Sequence, residues 1–271
     1  MVLYLSQMIT KFINLALGKL ATFPRINSYA YNQSGNQLSD QTKSFEKLGL
    51  DRSIAINKLD ELFMVLFNCK YSENIGMWSE HLVLMAAISE GPYVVNDILE
   101  IGTFDGETAH VLSKLFPKSK ILTIDLPQTS INEKQIYNYA HENNRLNTKR
   151  NEVLKKCENV EFRSLNSLNL VYENSKFDLI WVDGAHGYPT IAVDLINSLR
   201  MINFGGIVMC DDVYKFSKSS DPEYQSVGAF ETLEELRKAR LIDLHLFLKR
   251  INKIYNISKF RKKYIGVFQK I

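Results

Sequence analysis

Cysteine is scarce in this sequence, with three residues among 271, at Cys69, Cys157 and Cys210. Their number is odd and they lie far apart, so the spacing indicates neither a disulfide framework nor a zinc site. A reducing compartment fits this usage, and we predict a cytoplasmic protein.

The sequence also lacks an uninterrupted apolar run of the ~20 residues needed to span a bilayer. Residues 2–22 have apolar side chains at helical spacing, but Lys11 and Lys19 interrupt them, and no small-residue cleavage site is evident. We predict a helix that packs on the domain or on a partner chain, which could be a second copy. The alternative is a helix that lies on a membrane surface, as a peripheral contact.

Excess charge of either sign is small, and a net charge of +3 does not indicate binding to nucleic acid. Basic side chains do crowd the C-terminal end from Arg237 to Lys270, where Asp243 is nearly the only acid. Two interpretations stay open. This cluster of basic residues is either a solvated face or a surface that attracts an anionic glycan, a nucleotide-linked substrate or a membrane.

Apolar strand patterns alternate with helical patterns along most of the chain. This alternation predicts an α/β fold with a mostly parallel sheet wound by right-handed crossovers. Residues 24–50 are polar and predict a loop or linker, so we assign 1–70 to an N-terminal helical extension with its linker and 71–271 to the main domain. The predicted strands cover 98–101, 120–125, 160–162, 177–183, 207–210, 244–248 and 264–269.

The stretch from Asp97 to His110 indicates a buried strand, a glycine turn and a helix. Glycine at a strand end lets a ligand approach the backbone. Phe104 stands where the dinucleotide fingerprint G-x-G-x-x-G has its middle glycine, which disfavours a nicotinamide dehydrogenase. The acid Glu100, two residues before Gly102, would repel a phosphate but would suit an ammonium group.

The carboxyl ends of the next strands also carry polar side chains. Asp125 ends the second strand, where a carboxylate can accept two hydrogen bonds from ribose hydroxyls. Asn166 and Ser167 follow the third strand and would lie near an adenine.

Acids follow the fourth and fifth strands, at Asp183 and at the pair Asp211 and Asp212. If these strands are neighbours, their ends lie about 4.8 Å apart. Three carboxylates this close would repel one another unless a hard divalent cation such as Mg²⁺ joined them. His186 could take the proton of a metal-bound hydroxyl, or could instead be a metal ligand or a structural hydrogen-bonding residue.

Four motifs occur in order: Glu-Ile-Gly-Thr-Phe-Asp-Gly from Glu100, the strand-end Asp125, Asp-Gly-Ala-His-Gly-Tyr from Asp183, and Gly-Gly-Ile-Val-Met-Cys-Asp-Asp from Gly205. Together they resemble the class I S-adenosylmethionine (SAM) methyltransferases. Within that class they look most like the metal-dependent O-methyltransferases that modify sugars of macrolide and aminocoumarin natural products. The resemblance implies a Rossmann-like fold with a seven-stranded sheet and helices on both faces.

The resemblance also implies roles for individual residues. It makes Asp183, Asp211 and Asp212 the metal ligands and His186 the base. It assigns the cofactor contacts to Glu100, Gly102, Thr103, Phe104, Gly106, Thr108, Asp125, Leu126, Asn166, Ser167 and Asp183.

These patterns predict a SAM-dependent O-methyltransferase that acts on a hydroxyl of a sugar or glycan with the help of Mg²⁺ or another hard divalent cation. Two alternatives stay open: a metal-independent small-molecule methyltransferase, and a catalytically silent SAM-binding partner subunit. Residues 214–226 follow the acid pair and are polar with interspersed aromatics, and we interpret them as a lid over the acceptor, with a disordered surface loop as the alternative.

Overall fold

The computed structural model describes residues 38–73, 75–127, 142–217, 225–251 and 262–271. Its helices are α1 (Leu38–Lys47), α2 (Arg52–Phe67), α3 (Glu80–Glu90), α4 (Glu107–Leu115), α5 (Glu142–Leu154), α6 (Thr190–Met201), α7 (Gly228–Lys238) and a 3₁₀ helix (Ser167–Tyr172). Its strands are β1 (Asp97–Ile101), β2 (Lys120–Asp125), β3 (Val160–Ser164), β4 (Phe177–Val182), β5 (Ile202–Val213), β6 (Ile242–Leu248) and β7 (Tyr264–Lys270).

The strands form one sheet in the order β3-β2-β1-β4-β5-β7-β6. Neighbours from β3 to β5 are parallel, whereas β7 is antiparallel to both β5 and β6. The predicted α/β fold with a mostly parallel sheet is therefore confirmed. Because β7 runs the other way, its start at Tyr264, paired with Leu248 at the end of β6, lies at the edge where β1 to β5 end.

Each face of the sheet carries its own apolar core. Helices α1 to α4 cover one face, and α6 and α7 cover the other. Trp181 of β4 is fully buried on the first face and Ile180 on the second. A strand covered on both faces has to be apolar along its whole length, and this explains the continuous apolar run of β4.

The prediction of a loop over residues 24–50 is wrong for 38–47, which form α1. The side chain of Phe45 is fully buried and meets Phe247 of β6 edge to face, with 5.1 Å between ring centroids. The amide of Gln41 donates to the carbonyl of Leu248 (3.0 Å) and accepts from its N–H (3.2 Å). These long-range contacts hold a helix that its polar composition does not favour.

Strand β5 is longer than its prediction, which began it at residue 207. Gly205 and Gly206 were expected to end the preceding connection but lie within the strand. A side chain at Gly206 would meet the carbonyl oxygen of Asp178 at 2.8 Å, so glycine is needed where β4 and β5 come close. The pairing register shifts at the same level of β4.

Several expectations concern residues outside the described ranges: the helix at 2–22, and residues 218–224 of the expected lid. The boundary between extension and domain near residue 70 stays a prediction. Within the described ranges, no helix is both long and apolar enough to cross a membrane.

Helix α2 offers a test of local stability at its first turn. The Asp51 carboxylate accepts hydrogen bonds from the N–H groups of Ser53 (2.7 Å) and Ile54 (3.1 Å). We expect Asp51→Ala to lower the free energy of unfolding by about 1 kcal/mol, because these two donors lose their partner. Urea unfolding measures the loss. Glu61→Ala, at an exposed position of the same helix, is the control and should have a smaller effect; equal losses would contradict the capping role.

Candidate functional site

The turn after β1 touches the loop after β4 through backbone atoms. Gly102 has φ +100°, and a β-carbon there would lie 2.2 Å from the carbonyl oxygen of Asp183 and 2.9 Å from the N–H nitrogen of Gly184. Only glycine combines that backbone conformation with so close an approach. The turn therefore brings the cofactor residues predicted after β1 next to Asp183.

Beneath this turn lies a buried chain of polar groups. The hydroxyl of Thr123 donates to Oε2 of Glu100 and lies 2.6 Å from the hydroxyl of Thr103. Oε1 of Glu100 is buried and has no hydrogen-bond partner among the described residues. Burial raises the pKa of Glu100 to about 8, although the hydrogen bond from Thr123 opposes the shift.

Asp125, at the end of β2, organises the backbone of the same turn. Its carboxylate accepts from the N–H groups of Phe104 (2.8 Å) and Leu126 (2.8 Å) and from Nη1 of Arg150 (3.2 Å). Phe104 has φ +48°, an uncommon conformation for a bulky residue, and its bond to Asp125 helps to hold it. A carboxylate has about four acceptor sites, so Asp125 keeps capacity for a ribose hydroxyl. Sequence reasoning missed Arg150.

The helix that follows the turn begins at the same place. Gly106 has φ +81° and is the N-cap of α4, so the free N–H groups of the first turn, which includes Thr108, lie at the carboxyl edge of the sheet. These positions agree with the predicted arrangement, while the cofactor contacts themselves stay predictions.

The residues predicted near an adenine have structural partners. Oδ1 of Asn166 accepts from the N–H of Leu168 (3.0 Å) and caps the 3₁₀ helix. Ser167 interacts with the buried carboxyl of Asp194 on α6. Burial raises the pKa of Asp194 to about 6, and Ser167 opposes the shift. Their contact with adenine stays a prediction.

A β-bulge carries the acid pair at the end of β5. The pairing register with β7 shifts between Cys210 and Val213, and Asp212 has φ +49°. In a regular strand, consecutive side chains point to opposite faces. The bulge breaks that alternation and allows both Asp211 and Asp212 to contact Lys249.

The structure brings the predicted residues of β4 and β5 together. Asp183, His186 and Asp211 each offer one ligand atom, and these atoms lie within 4.8 Å of one another. Nε2 of His186 is 3.7 Å from Oδ1 of Asp183. Two buried atoms of the cluster, Nδ1 of His186 and Oδ1 of Asp211, have no hydrogen-bond partner in the described part of the chain.

Two lysines that sequence reasoning missed complete the cluster. Lys249 follows β6, is 8% exposed, and its ammonium donates to Oδ2 of Asp211 and to Oδ1 of Asp212, the latter at 2.6 Å. Lys263 precedes β7 and donates to Oδ2 of Asp212 at 2.5 Å. The direction of the last two strands was the signal that could have placed them here, because β6 ends and β7 begins at this edge.

Burial and the charges of the two lysines set the protonation states of Asp183, His186 and Asp211. Burial would raise the pKa of Asp211, but the Lys249 ammonium outweighs it and holds that pKa well below its usual range. Burial raises the pKa of Asp183 well above normal, and the negative charge on Asp211 adds to the shift. Burial also lowers the pKa of His186, despite the opposing effect of Asp212 and Asp211. The imidazole is therefore neutral at pH 7 and able to accept a proton.

The predicted three-aspartate site does not fit a divalent ion. Asp212 has both oxygens engaged by lysines, and Asp211 has one. An ion beside Asp183, His186 and Asp211 would stand near the Lys249 ammonium, which bonds to the same carboxylate. Two positive charges on one carboxylate repel each other more strongly in a buried site than they would in water.

Comparison with known proteins agrees with this architecture. Residues 99–213 match the model of a family described as "Methyltransferase domain". The chain is similar to the O-methyltransferase TomG from Streptomyces achromogenes, solved with SAM, at 16% identity and a TM-score of 0.52 over 84% of this chain and 95% of that chain.

Two further solved structures are similar at lower scores. The N-methyltransferase NodS from Bradyrhizobium japonicum WM9 has 16% identity and a TM-score of 0.48 over 70% of this chain and 94% of that one. The SAH-bound methyltransferase PaMTH1 from Podospora anserina has 16% identity and a TM-score of 0.48 over 80% of this chain and 88% of that chain. No curated protein matches the chain. The match over β1 to β5 shows a methyltransferase domain at residues 99–213, and the seven-stranded Rossmann-like sheet has the same fold as TomG.

Proposed function

We propose that the protein transfers a methyl group from SAM to a hydroxyl of a sugar or glycan. The observation that carries the proposal is the placement of a neutral His186 in one cluster with the ionised Asp211, where Nδ1 of His186 and Oδ1 of Asp211 have no hydrogen-bond partner within the described ranges. Both lie across the Gly102 contact from the predicted cofactor turn. A base beside the donor site is what O-methyl transfer requires, because a neutral alcohol is a weak nucleophile.

The residues beneath the glycine turn fit SAM. Oε1 of Glu100 is a buried acceptor that no described residue bonds to, and it is suited to the ammonium of the cofactor's amino-acid end. Asp125 retains acceptor capacity for the ribose. When bound, SAM supplies a methyl group on a positively charged sulfur, which is a good leaving group.

The chain's own part in the reaction is to position the acceptor and to move one proton. The imidazole of His186 takes the hydroxyl proton as the acceptor oxygen forms its bond to the methyl carbon and the carbon–sulfur bond breaks. S-adenosylhomocysteine and the methyl ether are the products. The ionised Asp211 stabilises the imidazolium that forms. No step passes through Mg²⁺, because lysines occupy both oxygens of Asp212 and one oxygen of Asp211.

Exposed aromatic and basic side chains after β4 and β5, called the rim here, support a sugar acceptor. Tyr188 (71% exposed) and Phe216 (47% exposed) follow β4 and β5 and offer aromatic faces for the apolar side of a sugar ring. Lys215 lies 4.8 Å from the ring centre of Tyr264, and its charge reaches Lys262, whose pKa is lowered by burial and by Lys215. This positive rim suits an acceptor that also carries an anionic group, such as a nucleotide sugar.

Calorimetric titration and an acceptor screen test the proposal together. We expect SAM and S-adenosylhomocysteine to bind and NAD not to bind. Release of S-adenosylhomocysteine should then require a sugar, with nucleotide sugars and glycans as the screened set. If the protein bound NAD but neither SAM nor S-adenosylhomocysteine, SAM would not be the methyl donor. If turnover occurred with amine acceptors only, the acceptor group would not be a hydroxyl.

The pKa of Glu100 makes SAM affinity depend on pH. Below about pH 8 the free protein holds this carboxyl protonated, yet an ammonium ligand favours the carboxylate. Binding must then release a proton, so affinity should rise nearly tenfold per pH unit between about pH 6 and 7.5 and rise no further above about pH 8, where the ligand's own ammonium loses its proton. Calorimetry over this pH series should show Glu100→Gln binding more weakly and with little pH dependence. An unchanged slope in Glu100→Gln would exclude Glu100 as the group responsible.

A further inference from the structure

The charges at the end of β5 are already compensated by the chain itself. Asp211 and Asp212 contribute two negative charges, and Lys249 and Lys263 contribute two positive ones at hydrogen-bonding distance. The two ammonium groups therefore offset the repulsion between these two carboxylates, for which a metal ion was predicted.

Lys249 is held in place by its backbone as well as by its ammonium. Its N–H donates to the carbonyl of Lys263 (3.0 Å), and its carbonyl accepts from the N–H of Glu80 at the start of α3 (2.9 Å). Anchors on two elements limit the lysine's movement away from Asp211 and Asp212. A side chain that is 10% exposed and paired with two carboxylates belongs to the architecture of the site.

We propose that the ammonium of Lys249 takes the place of a divalent metal ion, so that this methyltransferase works without one. Lys249 is a positioning residue: it joins Asp211 to Asp212 across the bulge and keeps Asp211 ionised beside His186. One positive charge is shared between the two carboxylates, and Lys263 balances the second. The inference rests on the proposed methyl transfer for its catalytic meaning, whereas its test by metal binding does not need the acceptor.

Binding of Mn²⁺, measured by electron paramagnetic resonance and calorimetry on the full chain, tests this inference. The wild type should bind no Mn²⁺ at the site at millimolar concentration, and chelator should leave its turnover unchanged. Lys249→Met removes the charge but keeps a long apolar side chain, and leaves Asp211 and Asp212 short of a cation. It should gain Mn²⁺ affinity by about 100-fold or more and should melt at a higher temperature with Mn²⁺ than without.

Controls separate this effect from general damage. Lys249→Arg keeps the charge and should not gain Mn²⁺ binding, and neither should Lys238→Met, which removes an exposed lysine of α7 paired with Glu235. The inference is overturned if the wild type binds Mn²⁺ and Asp211→Asn abolishes that binding. It is equally overturned if Lys249→Met stays unfolded with and without Mn²⁺, since an equivalent cation should restore the site. SAM binding, measured in parallel, reports on the proposed function independently.

Discussion

Gly102→Ala should lower the free energy of unfolding by about 4 kcal/mol or more and weaken S-adenosylhomocysteine binding at least 100-fold. The added β-carbon would lie 2.2 Å from the carbonyl oxygen of Asp183, and both partners of this contact are backbone. No side-chain rotation relieves it, so the turn after β1 or the loop after β4 must move. Urea unfolding and calorimetry measure the two losses.

Gly205→Ala is a matched control for that variant. Gly205 also has a positive φ, at +79°, but a β-carbon there meets nothing within 4 Å. Its substitution should therefore cost only the backbone strain of about 1 kcal/mol and leave ligand affinity unchanged. If Gly102→Ala were no more destabilised than Gly205→Ala, the contact with Asp183 would not be what requires glycine.

His186→Gln should lower turnover by about 10²–10⁴-fold and leave the affinity for S-adenosylhomocysteine within a factor of two. Glutamine keeps a polar side chain of similar size but cannot accept the hydroxyl proton at neutral pH. The measurement is steady-state release of S-adenosylhomocysteine with the acceptor found by the screen.

The control for His186 is His245→Gln on β6, where the imidazole lies 3.2 Å from Asp243. This variant should keep wild-type turnover. Full activity of His186→Gln would remove His186 as the base, and the ionised Asp211 would then be the group to test.

The strand-end acids could be predicted because they depend on one geometric rule. Parallel strands end at the same edge of a sheet, so motifs that end in Asp183 and Asp211 had to lie close once β4 and β5 were recognised as neighbours. Gly102 was predicted as the residue that lets a ligand approach the backbone, and its φ of +100° is a further reason for glycine there.

The compensating lysines could not be seen by that rule. Lys249 and Lys263 follow and precede the predicted strands 244–248 and 264–269, whose places in the sheet were not predicted, and β7 lies between β5 and β6. The basic C-terminal end was therefore interpreted as a surface.

Helix α1 was not predicted for a related reason, because the burial of Phe45 against Phe247 is a tertiary contact that local composition does not reveal.

Neither the sequence pattern nor the strand order determines the β-bulge at Asp211 and Asp212. Adjacent aspartates in a strand are expected on opposite faces, and only the left-handed conformation of Asp212 allows both to contact one ammonium. Asp tolerates this conformation better than a β-branched residue does. Two consecutive aspartates are compatible with the bulge, but they do not require one.

The insertion of β7 between β5 and β6 has a consequence for biosynthesis. Asp212 is paired with Lys263, 51 positions further along the chain. A ribosome that has finished β5 has not yet made the strand that pairs with its open edge, nor the ammonium groups that neutralise its acids. The nascent chain must keep that edge from aggregating until β7 emerges, and chains truncated before residue 264 should depend strongly on chaperones.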